Sequence, residues 1–147
     1  MTTATRRLIR RANAIYLGLS AVAGLIFLDL RGVLFGTGPE GQVLANAPHS
    51  AVGFVEAHGL ALILAVLFWR AQPDRAWHLT GAAQGALLGT ANIVFWQVFV
   101  ATDTLAMGYG TTSLHWICAF TQLFAAAAAG ESVGKLRQTG HAAVTEV

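Results

Sequence analysis

Four long stretches of this 147-residue chain are almost free of charge: Ala12–Leu28, Ala51–Trp69, Leu79–Val100 and Ser113–Gly130. At about 1.5 Å rise per residue, a helix over each crosses a hydrocarbon layer about 30 Å thick. With their flanks they predict membrane spans over residues 12–34, 50–70, 78–102 and 112–131. Basic residues fall before the first span (Arg6, Arg7, Arg10, Arg11), between the second and third (Arg70, Arg75), and after the fourth (Lys135, Arg137). Arg31 is the exception. Short basic loops stay on the cytoplasmic side, so a chain that starts inside and crosses four times explains this pattern. The expected fold is therefore all-α: one integral-membrane four-helix bundle over 1–147, with both termini cytoplasmic.

Composition excludes the main alternatives. With 55% hydrophobic and 11% charged residues, a soluble fold would need to hide four apolar helices in a chain too small to cover them. The net charge of +2 sits in short segments beside apolar runs, with no basic stripe, so no nucleic-acid partner is expected. Arg6–Arg11 and the run behind it resemble a signal peptide. The run outlasts the usual hydrophobic region, and no small-residue cleavage site closes it before Asp29, so it reads as the first span. A single cysteine, Cys118, leaves no intramolecular disulfide.

Span 1 is expected to leave the membrane through Asp29 and Arg31, a charged pair at the outer surface. A loop over Gly36–Ser50 follows, and Pro48 sets up entry to span 2. Asp103–Thr112 reads as the second outer loop. In span 3, Gly81, Gly85 and Gly89 recur every four residues on one helical face. Small residues at that spacing let helix backbones approach closely in lipid. Asn92 and Trp96 continue the face, and Ala125–Ala129 give span 4 a small surface of its own.

Ionisable groups inside a membrane are costly, so each is a candidate for function. On this topology His49, Glu56, His58, Asn92, Gln97, Asp103 and His115 belong to the outer half or its boundary, while the inner half has mainly His78, Thr80 and Gln84. His49 and His58 are about 13.5 Å apart along one helix and half a turn out of phase, so an unbroken helix cannot give both to one metal. Glu56 and His58 point to different faces. His115, Cys118 and Gln122 share a stripe. The chain has no HExxH, no CxxC and no histidines at i, i+4. A site would have to be assembled from separate helices.

Several short segments, in order over about residues 36–125, resemble styrene oxide isomerases, a family of small four-span bacterial membrane enzymes. They are Pro39-Glu40-Gly41, His49-Ser50, Gly81, Asn92 with Phe95-Trp96 and Phe99, and Leu105-Ala106-Met107-Gly108. The resemblance implies a multi-pass protein of the bacterial inner membrane that binds haem b between protomers of a homo-oligomer, a trimer in the family. His49 matches the axial ligand of the iron. Ferric haem would act as a Lewis acid on a small apolar or aromatic epoxide entering from lipid, and a hydride shift would give an aldehyde. Such chemistry needs a dry pocket, because water would trap the cation. Asn92 and Trp96 match pocket positions of the family, and Glu56 stands beside one. Three polar positions depart from the pattern: Trp96 replaces a tyrosine, Val55 an asparagine and Leu88 an aspartate.

The candidate catalytic residues are thus Asn92, Trp96 and Glu56, and the candidate cofactor ligands His49, His58 and His115. Two other readings stay open. One is a haem redox or sensing protein with two axial histidines, His49 or His58 together with His115. The other is a non-enzymatic small subunit whose glycine face packs in a larger complex. The topology has its own check. Alkaline phosphatase fused at Gly38 is expected to be active and at Asp74 inactive, and the reverse pattern would contradict the charge-based orientation.

Overall fold

The computed structural model describes the backbone of residues 1–144 and the side chains of residues 1–129. Lys135 and Arg137, which the topology uses for the C-terminal side, lie outside the described side chains. Among the described residues every regular element is helical: α1 (Thr3–Ala23), a π-turn (Gly24–Leu30), α2 (Arg31–Phe35), α3 (Gly38–Asn46), α4 (Ser50–Arg70), α5 (Arg75–Val94), α6 (Trp96–Ala101) and α7 (Leu105–Val144). Two helices, Thr3–Phe35 and Ser50–Arg70, are long and apolar enough to cross a membrane.

Local chemistry sets the boundaries. Thr2 caps α1 by accepting from the Thr5 N–H at 3.1 Å. The first helix ends at Gly36, whose φ of 61° is the left-handed stop that glycine takes without strain. Asp74 caps α5, its Oδ1 accepting from the Trp77 N–H at 2.9 Å.

Three connections differ from expectation. Most of the predicted loop 36–50 is a helix: Pro39 starts α3 with its φ already suitable, and Glu40 suits the positive end of the helix dipole. The predicted span 78–102 is interrupted at Phe95, where ψ reaches 25°, and resumes as the short α6. The predicted loop 103–112 is helical from Leu105, because Gly108 lets the new helix seat against the Phe99 ring: a Cβ there would come within 2.8 Å of Cγ.

Two helix pairs carry the packing. In one, α5 lies on α7 through the predicted glycine face. Gly81, Gly85 and Gly89 are all buried, against Gln122, the His115–Ala119 backbone and Trp116 respectively. Ala119 faces Gly85, and Ala125, Ala126 and Ala129 of α7 are buried as well. In the other, α1 lies on α4 around Ala14, Leu17, Ala65 and Phe68, with Trp77 against the cluster. Helix α1 also touches α5 and α7, and so joins the pairs.

Arg11 stands 4.9 Å above the Trp69 ring, so the basic residues that open α1 meet the end of α4. The π-turn, α2 and α3 form the opposite end of that pair. Most of α4 is left uncovered: of its 21 residues only Ala65 and Phe68 are buried, both near the basic end.

Glycine substitutions test this packing. A Cβ at Gly85 would stand 2.8 Å from the His115 carbonyl oxygen and 2.9 Å from the Ala119 nitrogen, while one at Gly53 meets nothing within 4 Å. Gly85→Ala is expected to cost about 1–3 kcal/mol of stability through overpacking, outweighing its helix-propensity gain. Gly53→Ala should be neutral or stabilising by up to about 1 kcal/mol. Unfolding of both variants in detergent, followed by circular dichroism, checks the contrast.

Candidate functional site

The densest ionisable cluster lies where the π-turn, α3 and α4 meet. In the π-turn the chain takes one more residue per hydrogen-bonded loop than an α-helix, which rotates Asp29 off the exposed face. Asp29 is fully buried. Both its carboxylate oxygens lie 2.9 Å from His58 Nδ1, so one imidazole N–H is shared between them. Gly24 makes the approach possible, since a Cβ there would collide with His58 Nε2. The ring is held between a carboxylate and a bare stretch of backbone.

Glu40 completes the group. Gly32 admits it: a Cβ at Gly32 would come within 3.0 Å of Glu40 Cβ and 3.1 Å of the Gly41 nitrogen. Glu40 is 8% exposed, and its Oε2 is buried without a hydrogen-bond partner. Ligand atoms of Asp29, Glu40 and His58 all lie within 4.8 Å of one another. Glu40 stands on α3, between the two apolar helices, and burial together with the facing Asp29 carboxyl pushes its carboxyl up to about 8. Two carboxyls this close and this dry do not both ionise unless a cation sits with them. Arg31 does not fill that role: its Nε donates to Thr37 Oγ1 at 3.2 Å, and the expected surface pairing of Asp29 with Arg31 is absent.

The sequence-predicted residues fall in four separate places. His49 immediately precedes α4, exposed, and its ring makes no hydrogen bond among the described residues. Its neighbour Pro48 lines an open groove of about 380 Å³, together with Gly32, Val33, Gly36, Leu44 and Ala51. Glu56 lies two turns further along α4 on the same stripe, also exposed and without a hydrogen-bond partner among the described residues.

His58 belongs to the carboxylate cluster. His115 is 9% exposed inside the α1–α7 contact, its Nδ1 3.3 Å from the Tyr16 hydroxyl. Asn92 Nδ2 donates to Thr111 Oγ1 at 3.1 Å, tying α5 to α7. Trp96 opens α6 and packs on Tyr109 and Phe99, with ring centroids 4.7 and 5.5 Å away. Thus α4 and the residue that caps it carry Glu56, His58 and His49, while Asn92 and Trp96 sit with α7.

A second polar layer joins α1, α5 and α7 towards the basic end. His78 Nδ1 and Gln122 Oε1 are 2.6 Å apart, both residues fully buried, and Asn13 stands close to Gly81 beside them.

Asp29 and Glu40 are the residues that sequence reasoning left without a role. The available signal was an acidic residue just inside a predicted span and another just beyond it, with a histidine at matching depth on the next span. No family of proteins, no curated protein and no solved structure matches this chain.

The two histidines of α4 should differ in their structural weight. His58→Ala removes the partner of a buried carboxylate and is expected to cost about 1–3 kcal/mol of stability. His49→Ala, which breaks no hydrogen bond, should stay within about 0.5 kcal/mol of the parent. Thermal unfolding of the two variants in the same detergent checks the difference.

Proposed function

We propose that this chain is a four-span protein of the bacterial inner membrane, with cytoplasmic termini, that binds haem b through His49 and converts small apolar or aromatic epoxides into aldehydes. The observation that carries the reading is the exposure of one imidazole. A porphyrin needs a ring nitrogen with open space several ångströms wide in front of it. His58 is pressed between Asp29 and Gly24, and His115 is buried between helices. His49 is exposed, makes no hydrogen bond among the described residues, and follows Pro48, which lines an open groove. The residues present therefore fit a haem with one axial histidine better than one with two.

A second copy of the chain completes the site in this reading. The groove is open on one side, and the half of α4 that carries His49 and Glu56 has no buried residue. A carboxyl facing lipid is costly, so Glu56 favours a protein neighbour over acyl chains. Asn92 and Trp96 stand with α7, so a pocket using them together with His49 is built between protomers, with a trimer as the expected assembly.

Bound ferric haem would supply a Lewis acid for the epoxide oxygen. The reaction is an internal rearrangement: the benzylic C–O bond breaks, a hydride moves from the neighbouring carbon, and the oxygen becomes the aldehyde carbonyl, with no co-reactant consumed. The chain's part is to keep water out and to hold the substrate. Trp96, Tyr109 and Phe99 form an aromatic group whose ring faces attract developing positive charge on the substrate. Asn92 spends its amide on Thr111, which leaves its carbonyl oxygen free to orient a ligand. The apolar walls protect the carbocation from hydration.

Turnover tests the proposal. Detergent-purified protein is expected to convert styrene oxide to phenylacetaldehyde, with no diol. Trp96→Ala should lower the rate by about tenfold or more and allow some diol to form, as expected when a remote contact misplaces the substrate. A haem-loaded preparation that turns over no aryl or alkyl epoxide would overturn the isomerase reading.

A further inference from the structure

We infer that Asp29, Glu40 and His58 form a binding site for one divalent first-row transition-metal ion, separate from His49. The cluster draws on three segments distant in sequence: the π-turn, the start of α3 and the middle of α4. Its ligand atoms already lie within 4.8 Å of one another. Around an ion with bonds of about 2.1 Å, neighbouring ligand atoms stand roughly 3.0–3.4 Å apart. The two Nδ1-to-oxygen distances of 2.9 Å are close to that edge, and Glu40 has only to swing inward.

A second observation points into the same space. Glu40 is more than nine-tenths buried, yet its Oε2 has no hydrogen-bond partner. Without a cation, a proton shared with Asp29 relieves this buried pair; a divalent ion would displace that proton and leave both carboxylates as ligands. Among the described residues no lysine or arginine pairs with either acid, and Arg31 is turned to Thr37. Charge also balances: two carboxylates and a neutral imidazole match a charge of +2. Metal would take the Nδ1 lone pair, moving the ring proton to Nε2.

Donor type narrows the ion. Two carboxylates and one imidazole suit Zn²⁺, Mn²⁺ or Fe²⁺, whereas Mg²⁺ and Ca²⁺ favour all-oxygen sets and Cu⁺ favours sulfur. Three protein ligands leave at least one position for water. Glycines make the site compact: Gly24 accommodates the His58 ring, and Gly32 lets α3 bring Glu40 in. Bound metal would fasten the π-turn, α3 and α4 to one another at the end of the molecule that also carries His49.

Zinc binding to the full-length protein tests the assignment. Protein purified in detergent and treated with EDTA is titrated with ZnCl₂ by calorimetry, with zinc per chain measured after dialysis. The expected result is one Zn²⁺ per chain and a rise in thermal midpoint that EDTA reverses. The near-isosteric Asp29→Asn and Glu40→Gln should each weaken binding at least tenfold, as should His58→Ala, while Asp103→Asn and His49→Ala bind as the parent does. No retention of Zn²⁺ by the parent protein at millimolar metal would overturn the inference. Binding undiminished in Asp29→Asn and Glu40→Gln, or lost in His49→Ala, would overturn it as well. Should an acid variant fail to fold, the parent protein's stoichiometry and EDTA-reversible midpoint still decide. The outcome is independent of haem, because His49 is not among the ligands.

Discussion

Polar groups in a chain this apolar must find one another, because most of the surface offers them nothing. The structure follows that constraint across its helix contacts. Asp29 with His58 joins the π-turn to α4, Tyr16 with His115 joins α1 to α7, His78 with Gln122 and Asn92 with Thr111 join α5 to α7. Each pair spans two elements and fixes their register. The glycine face of α5 serves the same end, since close backbones bring short polar side chains within reach. Against that background the unmatched groups stand out. His49 and Glu56, on one stripe along α4, have no hydrogen-bond partner among the described residues. Glu40 faces a second carboxyl, Asp29, and its Oε2 is buried without a hydrogen-bond partner among the described residues. In the proposed reading the first two meet a second copy of the chain and the third a metal ion.

The two proposed sites lie at one end of the molecule. Nothing makes His58 interchangeable with His49, although both are histidines of α4 in an apolar setting. One ring is clamped by Asp29 and Gly24; the other is free at the helix start. A reading that places a cofactor on His58 would have to break its hydrogen bond to Asp29 and displace backbone. A reading that places it on His49 displaces neither. The difference is one of access.

Much of the framework was legible in the sequence, because a helix repeats its face every three to four residues. The four apolar stretches became helical, the glycines at 81, 85 and 89 became the α5–α7 contact, and of the alanines at 125–129 three, Ala125, Ala126 and Ala129, are buried. What escaped depends on features without a period. The π-turn adds a residue with no side-chain signature, so Asp29 was placed at the surface when it is buried. Helix α3 was read as a loop, since its helicity rests on Pro39 at the start and on Glu40 docking beneath Gly32. The interruption at Phe95 left no mark in composition. The Asp29–His58 pair links residues 29 positions apart, a contact that spacing along one helix cannot suggest.

The visible spectrum of the detergent-purified protein from haem-replete cells tests the central claim most directly. The account predicts a Soret band of high-spin ferric haem that is lost in His49→Ala and kept in His115→Ala. A colourless preparation, or a band that survives His49→Ala and disappears with His115→Ala, would contradict it.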